Sequence, residues 1–186
     1  MSKAITLVYD PICPFAQRAW ITLLEKQVPF EKMKVDIYNK SEEFKKVYSK
    51  AYGRNPDNVG MVPVLVYGDL TIAESDLISE FIIDEFKTGS ELIPRDNFDK
   101  VRMRRFINSV VPKLISNFYG FFQFNKKNEE EQKKIKENLD AALREIDKEI
   151  EGPYAIGKEF TLADIMIYPW LERTPILKHL GGYEIP

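Results

Sequence analysis

The spacing of apolar residues changes character partway along the chain, and this limits the available folds more than any single motif does. Up to about residue 87, short apolar runs of strand length alternate with amphipathic stretches of helical length; beyond it, the patterned stretches repeat at three and four residues. Residues 5–9 form a short apolar run ending at Asp10-Pro11, which predicts a buried strand and then a break. Residues 14–26 carry Phe15, Ala19, Ile21, Leu23 and Leu24 in a helical pattern, and residues 30–37 alternate as a second strand. Ser41-Glu42-Glu43 supplies a capping hydroxyl and two first-turn acids to a short helix that runs through Val47. Residues 51–60, rich in Gly, Asn, Pro and Asp, predict a loop. Residues 62–67 and 70–73, parted by Gly68-Asp69, predict a β-hairpin, and Ser75 caps a helix through Leu77, Ile78, Phe81, Ile82 and Phe86. The order is β-α-β-α-β-β-α, an α/β domain over residues 1–87.

Residues 88–94 contain Gly89, Ser90 and Pro94 and are the natural linker to a second, all-α domain over residues 95–186. Asp96 and Asp99 open a helix expected to continue through Arg102 to Phe124, bent near Pro112. Residues 129–150 are polar except for one stripe through Ile135, Leu139, Ala142, Leu143, Ile146 and Ile150. Thr161-Leu162-Ala163-Asp164 resembles a capping box with Asp in the usual Glu position. The charge run over residues 126–136 predicts a solvated helix face.

Composition narrows the function classes. The 186 residues are 44% hydrophobic and 12% aromatic, enough for a core in one domain or two small ones. A formal charge of -2 with mixed signs argues against a nucleic-acid binder. No apolar run has the length of a membrane span, and the apolar stretch at residues 4–8 is too short for a signal-peptide core. One cysteine cannot form an internal disulfide, so the expected setting is a reducing, cytoplasmic one.

Three stretches carry chemistry. Cys13 follows a strand and directly precedes a helix with Pro14 at its first position, where the helix dipole and N–H groups favour a thiolate and lower the pKa. An inert cysteine packed as a small hydrophobe fits that position as well. Val62-Pro63 puts a proline at the start of a strand; a cis bond there would turn the Val62 backbone toward an extended peptide, whereas a trans proline at a strand edge is the ordinary alternative. Glu74-Ser75 lies at a strand-to-helix junction, where carboxylate, hydroxyl and helix N–H groups could bind an amino acid's two charged ends, or Ser75 could simply cap the helix.

Together these stretches resemble the glutathione transferase family. Cys13-Pro14-Phe15-Ala16-Gln17-Arg18 is similar to the active-site motif of the cysteine-type omega, lambda and dehydroascorbate reductase classes, Val62-Pro63 matches the family's cis-proline position, and Glu74-Ser75 its γ-glutamyl-binding pair. Residues 160–164 match its helix-capping motif, and residues 169–173 resemble the omega-type continuation. The resemblance covers nearly the whole chain. It implies a thioredoxin-like N-terminal domain, an all-α C-terminal domain, and glutathione as cosubstrate between Cys13, Val62, Pro63 and Glu74-Ser75, with Lys40 on the glycyl carboxylate. Thr161 and Asp164 are implied structural capping residues. Residues 45–60 are longer than the equivalent loop in many members and could reshape the rim of the site. The chain stops where members usually continue through one or two more helices, which implies a truncated or naturally short protein lacking part of the second-substrate pocket.

The expected activity is glutathione-dependent reduction of mixed disulfides or of dehydroascorbate through a Cys13–glutathione mixed disulfide, monothiol because no second cysteine exists. The expected partners are glutathione and a small-molecule or protein thiol/disulfide substrate, with no nucleic acid, no membrane span, and a monomer or homodimer. Two alternatives stand: a transferase conjugating electrophiles with Cys13 a bystander, and a noncatalytic glutathione-binding relative of the intracellular chloride channel proteins. Tyr9, near Cys13, reads as strand packing. His179 is the only histidine, so no metal site is expected. The aromatic cluster at Phe118, Tyr119, Phe121, Phe122 and Phe124 reads as packing, with a cosubstrate wall as the alternative, and Arg102, Arg104 and Arg105 read as helix surface.

Overall fold

The strand-length runs of the first half pair into one mixed sheet of order β2-β1-β3-β4, in a computed structural model that describes residues 3–57 and 60–185. Its strands are β1 (Ile5–Tyr9), β2 (Glu31–Lys34), β3 (Val64–Tyr67) and β4 (Leu70–Ala73). β1 pairs parallel with β2 and antiparallel with β3, so Thr6 sits opposite Glu31 on one side and Val66 on the other. Leu7 and Val8 are consecutive and both fully buried, which on a pleated strand requires cover on both faces. Helices α1 (Pro14–Glu25) and α3 (Ser75–Glu85) supply one cover, with Ala19, Leu23, Ile78 and Ile82 packed around Leu7 and Leu65. Helix α2 (Glu42–Tyr52) supplies the other, placing Phe44 and Tyr48 with Val8 and Val64. Tyr9 meets Trp20 edge-on at 5.0 Å, a packing contact.

Several expected boundaries move. The second strand shrinks to four residues because Asp36 turns the chain, its side chain accepting the Tyr38 and Asn39 N–H groups. α2 runs five residues past Val47, taking in part of the expected 51–60 loop, of which Asn58 and Val59 lie outside the described residues. The cause is an aromatic ladder at four-residue spacing: Phe44 meets Tyr48 edge-on, Tyr48 stacks on Tyr52 at 4.5 Å, and left-handed Gly53 then stops the helix. Ser75 is not the cap of α3. Glu74 is the N-cap, and Ser75 is the first helical residue with a buried hydroxyl.

The chain divides into two units, Met1–Ser90 and Glu91–Pro186. Residues 88–90 are fastened to the end of α1: Thr88 Oγ1 donates to the Lys26 carbonyl at 2.5 Å, and Ser90 binds Glu25 through both its N–H (2.8 Å) and its hydroxyl (2.7 Å). Gly89 passes so close that a Cβ there would lie 2.1 Å from the Glu25 carbonyl oxygen, at φ +62°. Leu92, two residues beyond Ser90, accepts the Leu162 N–H at 2.8 Å within the second unit.

The second unit is helical among its described residues. α4 (Asn97–Arg105), capped by Asp96, passes through a π-turn at Phe106–Val110 into α5 (Val111–Gly120) and a 3₁₀ turn at Phe121–Lys126. The expected bend near Pro112 takes the form of that π-turn, with the Val111 N–H reaching back five residues to Phe106. Proline has no N–H for the carbonyl four residues back and its ring would strike it, so the backbone widens just ahead. α6 (Glu129–Glu149), α7 (Leu162–Leu171) and α8 (Ile176–Gly181) follow. Leu139, Ala142 and Ile146 are the buried part of the α6 stripe. Phe118, Phe121 and Phe124 are buried, whereas Tyr119 and Phe122 are 40% and 52% exposed, so the aromatic cluster divides between core and surface. Arg102 bridges Asp99 and Glu151, Arg105 pairs with Glu149, and Arg104 is exposed. Among the described residues, no helix is long and apolar enough to cross a membrane.

Candidate functional site

The turn after β1 delivers Cys13 to the start of α1. Asp10 organises that turn, its carboxylate accepting the Ile12 N–H at 3.0 Å and its carbonyl the Cys13 N–H at 3.1 Å. Cys13 is the N-cap, in extended conformation, with Pro14 opening the helix. Its side chain does not cap the helix; Sγ instead donates to the Val62 carbonyl at 3.4 Å and is half-buried. A hydrogen bond given by the thiol favours its protonated form, while the helix start favours the thiolate, so the two influences on this sulfur oppose each other.

Val62 arrives from the other direction. Gly60 carries the chain over the Phe44 ring, where an added Cβ would lie 2.5 Å from the ring edge, and its N–H bonds the Ile37 carbonyl at 3.1 Å. The Val62–Pro63 peptide that follows is cis, and both residues are buried.

Glu74 closes the arrangement from the end of β4. Its φ of 68° and ψ of 123° lie where a side chain is strained, a cost of order 1–3 kcal/mol that persists only when the surroundings over-determine it. Two contacts bear on it here. The Glu74 carbonyl accepts the Ile78 N–H at 2.9 Å. Ser75, next in the chain, has its hydroxyl held by the buried Arg18 guanidinium at 3.3 Å. One helical turn further on, Thr22 Oγ1 meets Ser79 Oγ at 3.0 Å, and Ser79 Oγ donates to the Ser75 carbonyl at 2.8 Å. This buried polar seam fixes α3 against α1.

Cys13, Val62, Pro63, Glu74 and Ser75 therefore line one pocket of about 270 Å³, joined by Phe15, Ile37, Gly60, Met61 and Tyr52. Lys40 is not brought in. It does not line the pocket, and its ammonium donates to the Asp57 carbonyl. Thr161 and Asp164 belong to the second unit and form the capping box of α7: Asp164 accepts the Thr161 N–H at 2.8 Å, the Thr161 hydroxyl at 3.1 Å and the Ala155 N–H at 2.8 Å.

Tyr52 is one of the pocket residues that reading the sequence missed. Its phenol is pushed up to about 12, first by burial and then by the neighbouring Glu74 carboxylate, with the Glu74 N–H pulling the other way. The signal that could have found it is the four-residue aromatic spacing of Phe44, Tyr48 and Tyr52, which extends the α2 stripe beyond Val47.

Comparison with known proteins agrees with this geometry. The glutathione S-transferase N-terminal domain family matches residues 12–85, and the glutathione S-transferase C-terminal domain family matches residues 127–181. The chain is 31% identical over 176 residues to the "probable glutathione S-transferase DHAR1, cytosolic" of Oryza sativa subsp. japonica, covering 94% of this chain and 73% of that protein. It is 31% identical over 173 residues to glutathione S-transferase omega-1 of Sus scrofa, covering 89% of this chain and 65% of that one. The crystal structure of glutathione transferase Omega 3C from Trametes versicolor superposes with a TM-score of 0.85 at 29% identity, over 99% of this chain and 75% of that chain. The chain thus spans about two thirds to three quarters of the length of these two curated relatives. Fold, motif positions and relatives agree: the chain belongs to the glutathione S-transferase family, whose members take glutathione as cosubstrate.

Proposed function

We propose that the chain is a glutathione-dependent thiol transferase whose nucleophile is Cys13. The observation that carries this reading is the common pocket: the only sulfur able to form a disulfide stands at a helix start, 3.4 Å from the Val62 carbonyl, beside Glu74 and Ser75. The Val62 backbone pairs with the cysteinyl unit of glutathione, and Glu74-Ser75 takes its γ-glutamyl end. A peptide on the Val62 carbonyl competes with the Cys13 thiol for that acceptor, and the displaced sulfur is left to the helix N-terminus, which favours the thiolate.

The Cys13 thiolate attacks the glutathionyl sulfur of a mixed disulfide R–S–S–G. A Cys13–glutathione disulfide forms, the S–S bond of R–S–S–G breaks, and RS⁻ leaves to take a proton from solvent. A second glutathione thiolate then attacks the bound glutathionyl sulfur, releasing oxidised glutathione and regenerating the Cys13 thiolate. In sum RSSG is reduced to RSH and two glutathionyl units become one disulfide. Dehydroascorbate is the other expected electron acceptor. Lys40, on the glycyl carboxylate in this reading, would add that partner to the one it has at Asp57.

The test is intact-mass measurement after incubation with oxidised glutathione, alongside a thiol-transfer assay. One glutathionyl adduct, mapped to Cys13, and turnover dependent on glutathione are expected. Alkylation of Cys13 followed across pH should titrate below the value of about 8.5 for free cysteine. Glutathione binding without adduct or turnover would favour the noncatalytic relative, and conjugation of electrophiles by a Cys13→Ser protein at the wild-type rate would favour the conjugating transferase.

A further inference from the structure

Helix α1 buries a charge. Arg18 sits among the buried residues of that helix, beside Ala19, and is only 7% exposed. A guanidinium taken out of water is costly to keep, so its partners matter. Two of its contacts are with walls of the Cys13 pocket. Nη1 donates to the Ser75 hydroxyl at 3.3 Å, and the guanidinium carbon lies 5.4 Å from the centre of the Phe15 ring. One turn further along, Thr22 Oγ1 meets Ser79 Oγ at 3.0 Å, which holds α1 and α3 in the register that keeps Arg18 opposite Ser75.

We propose that Arg18 is a positioning residue: by donating to the Ser75 hydroxyl oxygen it commits that hydroxyl to act as a donor, and so assigns Ser75 to the α-carboxylate of a bound γ-glutamyl unit. This rests on the reading of Cys13, Val62 and Glu74-Ser75 as a glutathione cleft. A serine hydroxyl has two accepting lone pairs and one proton to give. Arg18 fills an accepting position, while the Ser79 hydroxyl goes to the Ser75 carbonyl and leaves the Ser75 side chain alone. Among the described residues the Ser75 proton has no acceptor, so it is available to a ligand in the pocket that Ser75 lines. A hydroxyl that accepts from a cation is polarised into a stronger donor, and an anion is the partner that gains most from it. Glu74, next to it, carries the opposite charge and suits the ammonium. The adjacent pair thus reads the two charged ends of one amino acid in a fixed order.

Arg18→Met keeps most of the stem and removes both the donor and the charge. Titration calorimetry with three peptides reads the effect: reduced glutathione, glutaryl-cysteinylglycine, which lacks only the amino group, and γ-aminobutyryl-cysteinylglycine, which lacks only the α-carboxylate. The variant should bind the two carboxylate-bearing peptides about three- to tenfold more weakly than wild type, the range for one hydrogen bond. It should bind γ-aminobutyryl-cysteinylglycine as wild type does. In a Ser75→Ala background, Arg18→Met should cost little further affinity, since a residue acting through Ser75 has nothing left to position. A loss shared by all three peptides would overturn the proposal by making Arg18 a packing residue, and an additive loss in the Ser75→Ala background would make it a ligand contact instead. Unchanged affinity for all three would overturn it as well. Should Arg18→Met not fold, Arg18→Lys keeps the cation and the stem but not the rigid fork. Its loss, about twofold, must again be confined to the carboxylate-bearing peptides, and a loss shared by all three, or none, sinks the proposal. Each of these results leaves the glutathione reading intact; only a wild-type protein that neither binds glutathione nor takes up an adduct at Cys13 removes that.

Discussion

α7 and α1 both begin at an N-cap in extended conformation, and each completes its first turn differently. At α7, Thr161 and Asp164 engage one another, and Asp164 also ties down the Ala155 N–H, so the polar groups of that start are consumed within the second unit. At α1, Cys13 sends its side chain across to Val62 and gives the helix no cap. α3 repeats this, with Glu74 as a strained N-cap whose carboxylate also makes no capping bond. α2 lies in the same unit as α1 and α3 yet is capped conventionally, the Ser41 hydroxyl accepting the Phe44 N–H at 3.2 Å. The difference therefore follows the pocket rather than the unit. The two helix starts that line the pocket keep their side chains for something other than capping, whereas those of α2, α4, α6 and α7 spend theirs on it.

The sharpest way to break this comparison is Cys13→Ser. A hydroxyl is far harder to ionise than a thiol, so thiol transfer and adduct formation should disappear while glutathione affinity and stability persist. A protein that lost stability instead would show that Cys13 belongs with Thr161. Glu74→Ala comes next. Removing one charge-assisted partner of a bound ammonium should weaken glutathione binding by about 1.5–3 kcal/mol, ten- to more than a hundredfold by calorimetry, with the fold retained.

Asp164→Ala should behave in the opposite way. It strips a partner from two N–H groups and a hydroxyl, one of those N–H groups on buried Ala155, so urea unfolding should report a loss of about 2 kcal/mol. Glutathione affinity in the folded variant should not change. The smallest effect is expected at α6, whose exposed start carries its own box between Asn128 and Glu131. Asn128→Ala should cost about 1 kcal/mol or less. Glu131 titrates below its usual 4.5, chiefly because Lys127 and then the Asn128 N–H bond its carboxylate. A depressed folded-state value means the contribution is present above 4.5 and lost as pH falls through the folded value, so the gap between Glu131→Gln and wild type should narrow on acidification.

What the sequence determined by itself is local in origin. The apolar run of residues 5–9, the three-and-four spacing of α3 and α6, the position of Cys13 between a strand and Pro14, and the Thr161–Asp164 box all depend on residues no more than a few positions apart, where backbone geometry alone sets which side chains meet. The length of α2 was not legible in the same way, since composition pointed to a loop from residue 51 while the stacking of Tyr52 on buried Tyr48 carried the helix on. The remainder of the site was decided only by tertiary structure. Ser75 looked like a cap because a serine after a strand usually is one, yet Arg18, 57 residues earlier, holds its hydroxyl and passes the cap position to Glu74. Lys40 lies outside the pocket lining, its ammonium on the Asp57 carbonyl 17 residues on. Such contacts lie outside any local window, and burial decides them: a polar group removed from water takes whichever partner the packed elements bring within reach.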